Sequence, residues 1–267
     1  MTRPKGVLLV ARIELELRRR GDPKRAEGAK RYLKSELTFI GTDTRTVREA
    51  ARGVMRELTP LNRAGLLALV DDLWPPGIFE LRALAVELLK ARSAVLVAGD
   101  HRLIERLLRE SQNWAFVDFL SIQVAGPLVV RFPDLGAVLD RWAADSDFWV
   151  RRAAMLALLL PLRRGAGDFE RFARYADGML EEKEFFIRKA IGWVLRETGK
   201  KRPQLVDGWL APRIGRASGV TVGEAVRYLP QARREALTAA HRKRRSATTR
   251  AARAREPGRV PARRKGG

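Results

Sequence analysis

Four side chains near the middle of this chain have types and spacings that could do chemistry. Trp114 and Asp118 are four residues apart and Trp149 and Arg152 are three apart, so each pair shares one face of a helix. A carboxylate can stabilise a developing positive charge, an indole face attracts cations, and an arginine binds phosphate bidentately. Stacked helices would bring these groups, together with Trp193, to one concave and positively charged surface.

Each of these residues also has an ordinary structural interpretation. Tryptophan at helical spacing is more often part of a core, and an aspartate among arginines is more often half of a salt bridge. Arg151 and Arg188 occupy matched positions, which is typical of a structural ladder that hydrogen-bonds neighbouring repeats. Arg152 and Lys189 follow them and are freer for other work. Composition and spacing alone therefore predict a basic helical-repeat binding module.

The segments that position these residues repeat one pattern. Residues 150–153 (VRRA) align with residues 187–190 (IRKA), and an apolar anchor opens each related segment. Successive anchors are separated by 34, 36, 33, 37 and 35 residues. They are Val47, Leu81, Val117, Val150, Ile187 and Val222. A period in the mid-thirties, with two helices in each unit, indicates an all-α solenoid of about six helix pairs whose second helices line the concave face.

Helix ends are predicted from capping residues and helix breakers. Asp100 and Asp145 are expected to cap the helices that begin near residues 101 and 148. Gly126 and Pro127 are expected to end the helix of residues 113–124. No run of alternating apolar and polar residues between hairpin turns predicts a strand.

The chain is strongly basic. Its net charge is +22, of which residues 241–267 contribute +10 and the preceding residues +12. Such an excess is typical of proteins whose partners are nucleic acid, ribosomes or anionic membranes, although an arginine-rich proteome also produces it. The sequence has no stretch of about 20 apolar residues and no signal-peptide pattern. We therefore expect a cytoplasmic protein without a membrane partner.

The composition also limits which cofactors the chain could hold. It contains no cysteine, which excludes disulfides and thiolate metal sites. Its two histidines, His101 and His241, are too few for a histidine-based metal site. We expect neither a metal nor another cofactor.

The chain is expected to divide near residue 236. Residues 1–236 are predicted to form the repeat domain. Residues 237–267 are a basic segment of arginine, alanine, glycine and proline without apolar periodicity. We predict that this tail is disordered, apart from a frayed helix reaching Arg245, and available for non-specific phosphate contact.

Four segments resemble the AlkD-like DNA alkylation-repair glycosylases. They are residues 32–41 (YLKSELTFIG), 114–118 (WAFVD), 147–154 (DFWVRRAA) and 184–197 (EFFIRKAIGWVLRE). They occur in the order of that family over about residues 5–232. The phenylalanine pair before KAIGW is specific, since HEAT repeats in general lack it. The resemblance implies a C-shaped stack of HEAT-like helix pairs that clasps duplex DNA.

The resemblance also implies an activity. It implies hydrolysis of the N-glycosidic bond of bases made cationic by alkylation, such as 3-methyladenine and 7-methylguanine, without base flipping. The implied partner is double-stranded DNA that contains alkylated bases. We expect a monomer that is associated with the nucleoid.

The residues implied by the resemblance are those that open this section. The catalytic carboxylate falls on Asp118 and its aromatic partners on Trp114 and Trp193. The arginine that holds a backbone phosphate falls on Arg152, with Arg151 as the alternative one residue earlier. Further DNA contacts are expected from Arg151, Arg188, Lys189, Trp149 and Lys34.

Two other functional classes remain open from the sequence. One is a non-catalytic HEAT-repeat protein that binds distorted or branched nucleic acid. The other is a protein-interaction scaffold in which the charge is incidental. Asp118 discriminates against both, because a phosphate-binding surface gains nothing from a carboxylate among arginines.

Overall fold

The computed structural model describes residues 3–255, with the side chains of residues 6–244, 246 and 247. Within that part of the chain there are helices and no strand, and one isolated bridge joins Thr38 to Ile78. The all-α prediction is confirmed. The chain divides into two compact units, the first ending at Pro161 but including residues 167–175, the second comprising residues 162–166 and the chain from Ala176.

The α-helices follow one another through short connections, several of which contain a turn of 3-10 or π helix. In chain order they are α1 (Arg3–Arg19), α2 (Pro23–Leu33), α3 (Thr44–Glu57), α4 (Arg63–Leu73), α5 (Phe79–Ala91), α6 (His101–Ser111), α7 (Trp114–Leu120), α8 (Gly126–Arg131), α9 (Gly136–Ala143), α10 (Phe148–Leu156), α11 (Leu159–Arg163), α12 (Phe169–Gly178), α13 (Phe185–Gly199), α14 (Pro203–Leu210), α15 (Gly219–Ala225) and α16 (Gln231–Arg255).

The predicted repeat anchors all lie in helices and all are buried, with at most 5 % of any anchor exposed. In the first unit they occupy α3, α5, α7 and α10, and in the second unit α13 and α15. Each of these helices is the second of a pair. The prediction of repeated helix pairs is therefore confirmed, and the anchors are the apolar residues that each pair buries against its neighbours.

Ion pairs join neighbouring helix pairs at the spacing of the repeat. In each of them an arginine and an acid stand between 34 and 37 residues apart. They are Arg63–Asp100, Arg109–Asp145, Asp118–Arg152, Arg163–Glu197 and Arg213–Asp177.

The helix that carries Asp118 does not end where the sequence predicts. α7 continues through a π turn at Ser121–Ala125 into α8, so Gly126 lies inside the helix. The Gly126 N–H donates to the Ser121 carbonyl, five residues earlier. A β-carbon on Gly126 would lie 2.7 Å from the carbonyl oxygen of Ala157. Glycine is therefore needed here for close packing of helices, not for a break.

The continuous helix Trp114–Arg131 is apolar. Its mean hydropathy of 1.3 and its 18 residues make it a candidate membrane span, the one such stretch in the described part of the chain. Half of this helix is buried within the protein, including the core residues Val117, Leu120 and Val124. The internal helix of a helical stack meets the same criteria of length and composition.

Of the two predicted helix caps, Asp145 is wrong, whereas Asp100 stands at the N-cap position of α6 without a capping side-chain bond. α10 is capped by the side chain of Asp147, while Asp145 binds Arg109. Asp100 makes no capping hydrogen bond to α6, and its carboxylate accepts from Arg63. In both cases an arginine one repeat earlier holds the carboxylate.

The C-terminal segment differs from the expected disorder. α16 runs from Gln231 to Arg255 and crosses the boundary predicted at residue 236. Alanine and arginine have high helix propensity, so this helix does not need a continuous apolar face. Its first half is docked through Leu237 and His241, which are buried. Residues 256–267 of the predicted tail lie outside the described residues.

Candidate active site

The first turn of α7 places Trp114 and Asp118 on one face of the first unit. The side-chain oxygen of Asn113 caps the helix by accepting from the Ala115 N–H at 3.0 Å. Trp114 and Asp118 are then about one turn apart, and both are partly exposed, whereas Val117 is fully buried. The indole and the carboxylate therefore share the solvent-facing side of the helix.

A buried arginine on α10 holds the Asp118 carboxylate. Arg152 Nε donates to Asp118 Oδ1 at 2.7 Å, and Nη2 donates to Oδ2 at 2.8 Å. Two parallel hydrogen bonds of this kind fix the plane of the carboxylate as well as its position. The structure thus brings together two of the residues expected in the site, across neighbouring helix pairs.

The two members of this pair differ in burial. The Arg152 side chain is 3 % exposed and the Asp118 side chain 15 %. Arg152 is the one buried lysine or arginine among the side chains that the structure describes. The pair therefore presents its carboxylate, and not its cation, to solvent.

This geometry gives Arg152 a role other than the expected one. The sequence predicts that its guanidinium holds a backbone phosphate, but the group is buried and bonded to Asp118. In this structure Arg152 orients the carboxylate. Arg151, the alternative candidate, donates to the backbone carbonyls of Asp145 and Ser146 at 2.7 and 2.8 Å.

Arg188 repeats the arrangement of Arg151. Its Nε donates to the Glu182 carbonyl at 2.6 Å, six residues earlier in the chain, as Arg151 does to Asp145. In both cases the arginine donates to carbonyls of the loop before its own helix, whereas the predicted ladder would join neighbouring repeats. Both arginines are partly exposed, and their contact with DNA stays a prediction.

The tryptophans of the first unit have different surroundings. Trp114 makes an edge-to-face contact with Tyr32, with ring centroids 5.8 Å apart and planes at 88°. Tyr32 lies on α2 and is 73 % exposed. Trp149 is only 9 % exposed, so its ring does not offer an open face to a ligand. The DNA contact expected at Trp149 does not fit this burial.

Trp193 and Lys189 lie on α13 in the second unit, and both are partly exposed. Lys189 Nζ donates to Glu224 Oε1 at 2.6 Å, and Arg196 binds the same carboxylate. Burial alone would raise the pKa of Glu224, but Lys189 and Arg196 outweigh it and hold that pKa below its usual value. Lys189 is therefore committed to a neighbouring helix, contrary to the expectation that it is free.

Lys34 ends α2 in the left-handed conformation, with φ of 49°. It is exposed and borders an open cavity of about 510 Å³. The cavity is also lined by Arg82 and Arg106 and by the acids Glu36 and Glu110. Its charge is mixed, and the contact of Lys34 with DNA stays a prediction.

The site that these residues build is an oriented carboxylate one helical turn from a partly exposed indole. Such a group can oppose positive charge that develops beside it, because its orientation is fixed before the reaction. Two features were missed from the sequence. The burial of Arg152 has no signal in residue spacing, whereas Tyr32 stands at the head of the segment 32–41 that carries the family resemblance.

Comparisons with known proteins agree with this architecture. The model of a family described as DNA alkylation repair enzyme matches residues 13–229. A DNA alkylation repair enzyme predicted from Enterococcus faecalis has a solved structure with a TM-score of 0.72 and 20 % identity, covering 79 % of this chain and 98 % of that one. The crystal structure of AlkD2 from Streptococcus mutans gives a TM-score of 0.55 and 17 % identity, covering 68 % and 90 %. These likenesses show the fold. A comparison with curated protein sequences finds no match.

Proposed function

This chain belongs to the family of DNA alkylation repair enzymes, and from that premise we propose that it is a DNA glycosylase. Its substrates are cationic N-alkylated purines of the 3-methyladenine and 7-methylguanine type in duplex DNA. Its reaction is hydrolysis of the N-glycosidic bond, with the lesion left stacked in the duplex.

The chemistry needs little general-acid assistance. An alkylated purine already carries positive charge, so it departs as a neutral base. As the bond breaks, positive charge develops on the deoxyribose as an oxocarbenium ion. A fixed carboxylate beside the sugar stabilises that charge and orients the attacking water, as one carboxylate does in glycoside hydrolysis. Asp118 takes this role. Each of its two carboxylate oxygens accepts one hydrogen bond from Arg152 and keeps a second acceptor position.

The observation that carries the proposal is the inverted burial of the Asp118–Arg152 pair. A purely structural ion pair satisfies a buried acid with an exposed arginine, as Arg163 does for Glu197. Here a buried arginine holds a partly exposed acid. A buried cation that orients a partly exposed carboxylate favours a carboxylate that acts on a ligand.

The aromatic residues have a binding role in this proposal. Trp114 is partly exposed beside Asp118 and is steadied by Tyr32. An indole face attracts a cationic nucleotide by roughly 0.5–2 kcal/mol. The role of Trp193 as a further aromatic contact rests on the sequence resemblance alone. Arg152 acts as a positioning residue, because it reaches the substrate only through Asp118.

One observation favours a second candidate function. The separation of Asp118 and Arg152 is that of the other inter-repeat ion pairs, which suits a structural bridge in a non-catalytic protein that binds distorted or branched DNA. Such a protein would bind alkylated duplex without releasing a base.

The test is single-turnover release of 7-methylguanine from alkylated duplex, followed by alkali to cleave the abasic sites. Wild-type protein is expected to release the base, and Asp118→Asn to release it about 10²–10³ times more slowly. Asp177→Asn is the matched control, because Asp177 also pairs bidentately with an arginine one repeat away. This control is expected to excise at the wild-type rate.

Two results contradict the proposal. Duplex binding by the wild type with no base release favours the non-catalytic candidate. An Asp118→Asn variant that is folded and excises at the wild-type rate removes Asp118 from the reaction.

A further inference from the structure

The second half of α16, residues 242–255, is rich in lysine and arginine. Residues 242–255 contain seven lysines and arginines and no aspartate or glutamate. The nearest acid before them on the helix is Glu235, about two turns from Arg242. Like charges at helical spacing repel one another, so a segment of this composition concentrates positive charge along the helix. This helix is therefore suited to a partner that supplies many negative charges.

The first half of α16 is docked on the second unit. Leu237 and His241 are buried, and the His241 ring is hydrogen-bonded to the Ile214 carbonyl at 3.2 Å. Arg233 forms a bidentate pair with Asp207 at 2.8 and 2.9 Å. These contacts fix where the helix starts and in which direction it leaves the unit.

The cations follow directly after the last buried anchor. Arg242 and Lys243 are exposed. From His241 to Arg255 the helix rises by about 21 Å at roughly 1.5 Å per residue. Each strand of a duplex carries one phosphate per about 3.4 Å of helix axis, so this length corresponds to several phosphates. Charge and length together fit a nucleic-acid backbone.

We propose that α16 is a second binding site for duplex DNA. It contacts backbone phosphates independently of sequence, through residues that do not belong to the candidate active site. The helix raises affinity for any duplex, damaged or not, and takes no part in bond cleavage. This site concerns binding alone, so it stands or falls separately from the glycosylase activity proposed above.

The test measures how duplex affinity depends on salt. Fluorescence anisotropy with an undamaged duplex of about 25 base pairs compares the full-length wild type with a fourfold variant, Arg242→Gln, Lys243→Gln, Arg250→Gln and Arg253→Gln. Glutamine preserves helix propensity while removing charge. Each lost phosphate contact lowers the slope of log affinity against log salt by about 0.9, so the expected decrease is about three to four.

A matched control separates this site from general charge. The fourfold variant Lys24→Gln, Arg102→Gln, Arg164→Gln and Lys201→Gln removes the same charge from exposed positions outside α16. It is expected to lower the slope by less than about one. A chain that ends after Arg244 keeps the buried anchors and should also lose salt dependence, which guards against misfolding of the first variant.

Three outcomes would overturn the proposal. The α16 variant and the shortened chain could both keep the wild-type slope. The control variant could lose as much as the α16 variant, which would make the effect one of net charge. The α16 variant could keep duplex binding while losing binding to anionic phosphatidylserine vesicles, which would assign the helix to a membrane surface. Excision at saturating protein is expected to be unchanged in the α16 variant.

Discussion

Two ion pairs, one in each unit, join residues 34 apart in the chain, yet they are built in opposite ways. In the second unit the acid Glu197 is 4 % exposed, and the more exposed Arg163 and Lys200 surround it. In the first unit the cation Arg152 is 3 % exposed, and the acid Asp118 lies nearer to solvent. A buried charge without a partner is costly. The buried residue of each pair, Glu197 or Arg152, therefore needs its oppositely charged partner.

This comparison shows what a repeat can change without changing its period. Both pairs join residues 34 apart, because stacked helix pairs bring such positions together, but only Arg152 binds its acid through two hydrogen bonds. When the acid of such an ion pair is buried, the pair links two repeats. When the arginine is buried instead, the pair fixes the orientation of a carboxylate. The following predictions test that difference, beginning with the largest expected effect.

Asp118→Asn should produce two separate losses. Excision should fall by about 10²–10³, since asparagine cannot oppose charge that appears only in the transition state. Stability should also fall by about 3 kcal/mol, because Arg152 is left buried without its counter-ion. Single-turnover rates measured well below the melting temperature, together with denaturant unfolding, separate the two. Unchanged stability would contradict the burial of Arg152.

The double variant Asp118→Asn with Arg152→Gln sharpens the same point. Removing both charges abolishes the unpaired buried cation, so most of the lost stability should return. The excision rate should stay low, because the carboxylate is still absent. If excision returned together with stability, the role of Asp118 would be purely structural.

Glu197→Gln should show the reverse pattern. It leaves Arg163, Arg196 and Lys200 without their shared acid, and it should cost about 1–3 kcal/mol of unfolding free energy. The excision rate of the folded variant should equal that of the wild type. A rate loss comparable to that of Asp118→Asn would remove the contrast between the two pairs.

The unfolding free energy should depend on pH through the ion pairs of Glu197. Burial raises the pKa of Glu197, but Lys200 and Arg163 outweigh it and hold that pKa below its usual value. A folded-state pKa below the unfolded value of about 4.3 stabilises the protein above that pH and ceases to do so as pH falls through the folded value. Unfolding free energies measured between about pH 7 and pH 3 should therefore fall more steeply for wild type than for Glu197→Gln. Parallel curves would contradict this linkage.

The smallest effect is expected at Arg163. This side chain is 42 % exposed, and exposed ion pairs contribute about 0–1 kcal/mol, so Arg163→Gln should change stability by less than about 1 kcal/mol. Arg152→Gln should lower stability clearly more, because it removes a buried guanidinium that makes two hydrogen bonds to Asp118. Thermal melts of the two variants under one buffer condition give the comparison directly. Equal melting temperatures would mean that burial of the cation is without consequence.

The sequence predicts the fold better than it predicts the site. The anchors Val150 and Ile187 are recognisable because each pair must bury an apolar residue at the same place, and this need leaves a period in the sequence. The burial of Arg152 leaves no such trace. It depends on how closely α7 and α10 pack, and that packing is set by contacts between residues more than thirty positions apart.

Predictions of helix ends from local sequence were also wrong where a residue distant in the chain contacts the same position. Asp145 has the type of a helix cap, but Arg109 competes for its carboxylate and Asp147 takes the cap. Glycine is common at helix ends, but Gly126 lies inside a continuous helix. It is needed there because the Ala157 carbonyl oxygen leaves no room for a β-carbon. Propensity rules describe one segment at a time, and these residues are decided by the neighbouring repeat.

The π turn after Asp118 amounts, in chain length, to one residue inserted into an α-helix. Because its hydrogen bond spans five residues and not four, the helix before it is rotated by about 100° from a regular continuation. Asp118 can therefore face Arg152 while Gly126 faces Ala157. A relative with a regular helix here should show a one-residue alignment gap between Leu120 and Gly126, and its acid should point elsewhere. Gaps within this helix, where insertions are seldom tolerated, would then sort the family by the direction of its carboxylate.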